Sequence, residues 1–200
     1  MQHTQHQAWI QHGFKLYANI RIMIQESQHW KAPLKRAARW IDLLVIPSAN
    51  PDKTLVRLER ELLVGFYSIR KLLEAQKCST QVRDAKLKLQ WHPINDGMVP
   101  DHINRDRVPN LYDLNATESE TRDLKFICDQ WIHSYVLVPV FDTDGKLMGT
   151  YLASDITSRN KVYFITRATI VNVFRTVAND DQREAHFVRD PNTRRYVRTV

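Results

Sequence analysis

The segment from Thr117 to Asp142 constrains the fold most strongly, because a helical pattern passes directly into a strand pattern. Pro139 is the first Gly or Pro within it. Thr117 and Glu120 have the spacing of a capping box, which predicts that a helix begins there. Apolar residues then recur at the spacing of one helical face, at Leu124, Ile127, Cys128 and Trp131. The branched residues after Tyr135 predict a strand.

Patterns elsewhere divide the chain into a helical first part and a β-rich second part. Helices are predicted over 4–28, 34–46, 51–76 and 167–178, with a break over 29–33. Strands are predicted over 86–91, 134–142, 147–153, 161–166, 185–189 and 195–199, and a long loop over 92–110. Helices segregated from antiparallel strands are typical of the α+β class. The sequence therefore predicts one α+β domain over 1–200, in which an N-terminal helical bundle (about 1–133) joins a small C-terminal antiparallel sheet (about 134–200).

The charge of the chain favours a partner that carries acidic groups. Lysine and arginine exceed aspartate and glutamate by 29 to 22, and the isoelectric point is about 9.5. Two basic clusters lie near aromatic residues in sequence. Their members, which we predict to contact nucleic acid, are Lys35, Arg36 and Arg39 near Trp40, and Arg194, Arg195 and Arg198 near Tyr196. Guanidinium groups contact phosphate and aromatic rings stack on bases, so this composition suits single-stranded nucleic acid. The alternative is a solvated charged surface above core aromatics.

The end of the central helix carries a cluster of polar residues. Asp129 and His133 are four residues apart, so a carboxylate and an imidazole can meet on one helical face, with Gln130 beside them. The stretch CDQWIHSY resembles the HEPN superfamily, helical-bundle proteins in which a polar residue and a His near the end of a late helix form a metal-independent ribonuclease site. The resemblance implies that His133 is a general acid or base, oriented by Asp129, with Gln130 as a further polar residue of the site.

Catalytic members of that superfamily also place an Arg shortly before the His. Here Arg122 precedes His133 by eleven residues, or about 16 Å along a helix axis. A ribonuclease site would therefore require an Arg from another segment or from a second protomer. In the alternative interpretation, His133 and Tyr135 make hydrogen bonds that fasten the junction between helix and strand.

Several other classes of function are disfavoured. The sequence has no P-loop, GxGxxG, GxSxG, HExxH or paired CxxC motif, so no cofactor is expected. His3, His6 and His12 lack a Cys or nearby carboxylate to complete a ligand set, and no metal site is expected. Two cysteines do not make a disulfide framework. No apolar run approaches the roughly 20 residues of a membrane span, and the first residues lack the regions of a signal peptide, so we expect a cytoplasmic protein with no membrane contact.

These observations predict a basic, non-catalytic binding or accessory protein with a HEPN-like helical core. Its partner would be RNA or another nucleic acid, or a protein, which includes a second copy of the chain. One alternative is a metal-independent ribonuclease that uses His133, such as the toxins and anti-phage effectors that the resemblance implies. Another is a structural subunit of a protein complex, whose basic faces fit an acidic protein surface.

Overall fold

A computed structural model shows a mixed α+β fold. It describes residues 26–47, 49–181, 186–189, 194 and 196–199. Residues 186–189 and 196–199 are described by their backbone alone. The helices are α1 (Gln28–Asp42), α2 (Pro51–Glu74), α3 (Thr80–Arg83), α4 (Val108–Leu111), α5 (Leu124–Ile132), α6 (Asp155–Ser158) and α7 (Arg167–Asn179). The strands are β1 (Lys86–Pro93), β2 (Glu118–Asp123), β3 (Ser134–Phe141), β4 (Leu147–Ser154), β5 (Lys161–Thr166), β6 (His186–Arg189) and β7 (Tyr196–Thr199). The predicted helix over 4–28 and the predicted turn over 190–193 lie outside the described residues.

The first five strands form one antiparallel sheet in the order β2-β1-β5-β4-β3, and β6 pairs with β7 separately. The register places Trp91 opposite Tyr163, Tyr163 opposite Leu152, and Leu152 opposite Leu137. Strands β1 and β2 both come from the range 1–133, which the sequence predicts to be a helical lobe. The prediction of an α+β fold is confirmed, but helices and sheet share one core instead of forming a bundle beside a sheet.

The sheet has two faces of different character, because alternate residues of a strand point to opposite sides. One face packs against α1, α2, α5 and α7, and its strand residues in this core include Leu87, Leu89, Trp91, Leu137, Leu152, Tyr163 and Ile165. On the other face, α4 and the loop around it cover one end with a smaller cluster of Val108, Leu111, Tyr112, Val136, Ala153 and Val162. We call the remainder of that side, which includes Lys88, Gln90 and Phe164, the open face.

The central helix begins later than its capping-box pattern indicates. Residues 118–123 form the edge strand β2, in which Glu120 lies opposite Leu89 of β1. Helix α5 begins at Leu124, and the Asp123 carboxylate accepts a hydrogen bond of 2.7 Å from the Phe126 backbone N–H. The prediction of a helix from Thr117 is therefore wrong. Ladder hydrogen bonds to β1 satisfy this backbone, and they outweigh a local capping preference worth about 1 kcal/mol.

The predicted break over 29–33 is also wrong, because α1 continues through Pro33. The packing of this helix offsets the hydrogen bond that proline removes. Lys31 is only 2% exposed, and its ammonium group donates to the backbone carbonyl of Asp180 and lies 3.6 Å from the Asp180 carboxylate. Helix α1 ends at Asp42, before the predicted Ile46, whose N–H instead donates to the Gly145 carbonyl at 2.7 Å.

Candidate nucleic-acid interface

A basic groove lies between α1 and α2. It encloses about 390 Å³ and is lined by Pro33, Arg36, Ala37, Arg57, Arg60, Glu61 and Val64. The lining contains a single carboxylate, that of Glu61, whose Oε1 lies 4.0 Å from Arg57 and 3.3 Å from Arg60. A groove with two more cations than anions attracts a polyanion.

An aromatic ring outside the groove lining holds one of the groove's arginines. The Arg57 guanidinium lies 4.2 Å from the centre of the Trp40 ring. Arg36 and Trp40 are four residues apart on α1, so they share one helical face. Stacking on an aromatic ring limits the motion of a guanidinium while its N–H groups stay available to an oxyanion. The arrangement thus combines oriented donors with a partly exposed indole.

The structure separates the predicted nucleic-acid residues into two groups. Arg36 lines the groove, and Lys35 and Arg39 are exposed beside it on α1. Arg194, which lies between β6 and β7 in sequence, is exposed and has a φ of 57°. The side chains of Arg195 and Arg198 lie outside the described part of the chain. Arg57 and Arg60 had no separate signal in the sequence, since on α2 they alternate with acidic residues in the manner of an ordinary solvated face.

The hydrogen bonds of the Asp129 carboxylate go to two cations and not to the His133 imidazole. The carboxylate accepts a hydrogen bond of 2.7 Å from Arg70 of α2 and one of 2.9 Å from Lys125. Partial burial raises the pKa of the Asp129 carboxyl, but the hydrogen bonds from Lys125 and Arg70 outweigh this effect and lower the pKa. The carboxylate therefore ties α5 to α2 as an ionised group. Arg70 is an arginine from another segment, and it reaches α5 at Asp129, one helical turn before His133, but it is paired with Asp129 and Glu74.

His133 itself ends α5 with an exposed side chain. Among the described residues, the imidazole has no hydrogen-bond or ion-pair partner. The backbone of His133 and the side chain of Gln130 fasten the junction instead: the His133 carbonyl accepts from Asp155 N–H at 3.3 Å, and the Gln130 Oε1 accepts from Ser154 N–H at 3.0 Å. Gln130 is buried, so its amide has a structural partner, while the catalytic roles of Asp129, Gln130 and His133 remain predictions.

A cluster around Glu120 has no signal in the sequence. The Glu120 carboxylate accepts hydrogen bonds of 2.9 Å from both Arg122 and Lys161, and one from the Tyr163 hydroxyl. Partial burial raises the pKa of the Glu120 carboxyl, but these three hydrogen bonds outweigh it and lower the pKa to about 2. Such a group stays ionised at neutral pH and cannot serve as a general acid. The cluster joins β2 to β5 across β1. Lys161 and Tyr163 are 41 and 43 residues from Glu120 in sequence, so only the fold brings them to it.

The described ranges contain neither a cluster of metal-binding side chains nor a membrane-spanning helix. No group of three or more His, Cys, Asp or Glu side chains is placed there to hold a metal ion. The predicted set His3, His6 and His12 lies outside those ranges. None of the described helices combines the length and apolar character needed to cross a membrane.

No protein-family model, curated protein or solved structure matches this chain. The resemblance to the HEPN superfamily therefore depends on the stretch CDQWIHSY alone and remains a prediction.

Proposed function

We propose that the chain is a basic, non-catalytic binding protein that contacts single-stranded RNA through the groove between α1 and α2. The observation that carries the proposal is the convergence of Arg36, Arg57 and Arg60 on one groove with a single carboxylate. Phosphates would lie along the arginines, and an unpaired base would reach the edge of Trp40. Single strands suit such a site because their flexible backbone can follow the groove while their bases remain available for stacking.

Salt dependence tests the proposal. Fluorescence anisotropy of a labelled single-stranded RNA gives the binding constant K at several KCl concentrations. The slope of log K against log [KCl] reports the number of phosphates contacted, because each contact in a single strand contributes about −0.7 to the slope. We expect the triple variant Arg36→Gln/Arg57→Gln/Arg60→Gln to bind more weakly and to have a slope less steep by about 2. The matched control Lys77→Gln/Lys86→Gln/Lys146→Gln removes the same charge away from the groove and should retain the slope. Equal losses in both variants would reduce the interaction to general charge and contradict a specific groove.

The non-catalytic part of the proposal has its own readout. The RNA is incubated in EDTA with wild-type protein and with His133→Ala, and we expect it to remain intact in both. The reason is that the His133 imidazole is solvent-exposed and Asp129 is engaged by Arg70 and Lys125. Cleavage by the wild type alone would establish the ribonuclease alternative. A chain that neither binds nor cleaves RNA would leave an acidic protein surface as the partner of the groove.

A further inference from the structure

A second cavity lies where two central strands separate. Pairing between β1 and β5 stops at Gln90 and Phe164. The next positions, Leu89 and Ile165, are not paired with each other, so a gap opens where β5 passes into α7, whose N-cap Thr166 accepts a hydrogen bond of 3.1 Å from Thr169 N–H. The gap is a cavity of about 420 Å³, lined by Lys88, Leu89, Gln90, Thr117, Glu118, Ser119, Phe164, Ile165, Thr166 and Thr169.

The side chains of this cavity converge by register. Gln90 lies opposite both Phe164 and Ser119, so these three point to the open face, as does Lys88 two residues before Gln90. Glu118 pairs with Trp91, whose side chain packs into the helical core, so the carboxylate belongs to the opposite face. The cavity wall on the open face therefore carries the Lys88 ammonium group, the Gln90 amide and hydroxyl groups such as that of Ser119. The Glu118 carboxylate belongs to the helical side of the sheet.

Phe164 supplies a fixed aromatic ring. It is half-buried, and its ring centre lies 5.1 Å from that of Tyr151, at an angle of 50°. A Cβ atom on Gly149 would lie 2.8 Å from the tip of this ring, so the absence of a side chain there lets the phenyl group lie on the backbone of β4. The ring is thus oriented by Tyr151 and Gly149 before any ligand arrives. Preorganised rings bind planar ligands with little loss of side-chain entropy.

The cavity is lined by one cation, Lys88, and one carboxylate, Glu118, which do not form an ion pair with each other. Lys88 is exposed, and among the described residues its ammonium group pairs with no carboxylate. The first turn of α7 forms the wall at Thr169, and the start of a helix carries partial positive charge. A cavity of this size lies within the range of small-ligand sites. An aromatic wall suits a planar ring, a lysine suits an anionic group, and several hydroxyl groups suit a hydroxyl-bearing linker between the two. A ligand that fits the cavity would combine these three parts.

We propose that this cavity binds a free nucleoside monophosphate, with the base against Phe164 and the phosphate at Lys88. The hydroxyl groups of Thr117 and Ser119 would face the ribose. The site is independent of the groove between α1 and α2, since the two lie on different elements and share no lining residue.

Calorimetric titration with AMP, CMP, GMP and UMP tests the site. We expect at least one of them to bind, and Phe164→Leu and Lys88→Gln each to weaken it about tenfold, as expected when a stacking contact or a charged contact is lost. Lys146→Gln, which removes the same charge from the β3–β4 turn, should bind like the wild type. Melting curves of the unliganded variants confirm that each is folded. Ribose 5-phosphate and inorganic phosphate should bind at least tenfold more weakly than the preferred nucleotide.

Three outcomes would overturn the proposal. The first is that no monophosphate binds the folded wild type at concentrations up to about 1 mM. The second is binding that Phe164→Leu and Lys88→Gln retain to the same degree as Lys146→Gln. The third is that inorganic phosphate binds as tightly as any nucleotide, which would make the cavity an anion site that does not recognise the base. In the first of these cases, weaker binding of a single-stranded RNA by Phe164→Leu would assign the Phe164 ring to RNA.

Discussion

At the scale of single residues, Glu120 is the group whose ionisation matters most for stability. Its pKa falls from an ordinary 4.5 to about 2 in the folded chain. A lowered pKa stabilises the fold above about pH 4.5, and this contribution is lost as pH falls from 4.5 towards 2, where folded and unfolded chains are both protonated. Because the carboxylate is near the surface, we expect Glu120→Gln to cost only about 1–3 kcal/mol at pH 7.

Urea unfolding at pH 7, 4.5 and 3 measures this effect. The wild type should lose part of its free energy of unfolding between pH 4.5 and 3, and Glu120→Gln should lose less over the same interval. Glu118→Gln is the matched control, since Glu118 is exposed on the same strand and has no ion-pair partner among the described residues. Parallel pH profiles for wild type and Glu120→Gln would show that the cluster around Glu120 does not depend on its charge.

At the scale of elements, the sequence predicts those structures whose signals are local. Helix α2 and strand β5 follow their predicted bounds closely, because an apolar ridge or a short branched run specifies each one without help from a partner. Strand β2 could not be found in this way. Its residues ESETRD have high polarity and a capping-box spacing, and they become a strand only because β1 offers its free edge.

The same limit applies to the groove between α1 and α2. Arg36 was predicted from its own basic cluster, whereas Arg57 and Arg60 join it only through the packing of α1 on α2.

The contact between α2 and α7 depends on a glycine. A Cβ atom on Gly65 would lie 2.3 Å from the tip of the Phe174 ring, and both residues are buried. Alanine is the better helix former by up to about 1 kcal/mol, but overpacking a core costs about 1–3 kcal/mol. We therefore expect Gly65→Ala to lower the free energy of unfolding, as measured by urea titration. The double variant Gly65→Ala/Phe174→Leu removes the clash and should lose less than the sum of the two single variants; strict additivity would contradict a direct contact.

At the scale of the whole molecule, the sheet prevents a division into two lobes at residue 133. β1 and β2 come from one side of that boundary and β3, β4 and β5 from the other, yet β1 pairs with β5 in the interior of the sheet. Helix α1, from the first part of the chain, packs along α7, from the last. Neither part could bury its apolar surface without the other. The helical-bundle prediction followed the order of elements along the chain, and order alone does not reveal that an early strand lies between later ones.

This shared core predicts a single cooperative unfolding transition over the described fold. Trp131 lies on α5, stacked 4.7 Å from Phe66, and Trp91 lies on β1. All five tryptophans precede residue 133, so their fluorescence reports the first part of the chain, whereas circular dichroism reports the helices and strands of both parts. Fluorescence and far-ultraviolet circular dichroism should therefore give coincident urea curves.

The variant Lys31→Met tests the coupling between the two parts of the chain. It leaves the buried Asp180 carboxylate without its cation, and removing one partner of a buried pair is strongly destabilising. Both signals should shift together to lower urea. Two separated transitions, or a shift in one signal alone, would show that the parts before and after residue 133 unfold independently.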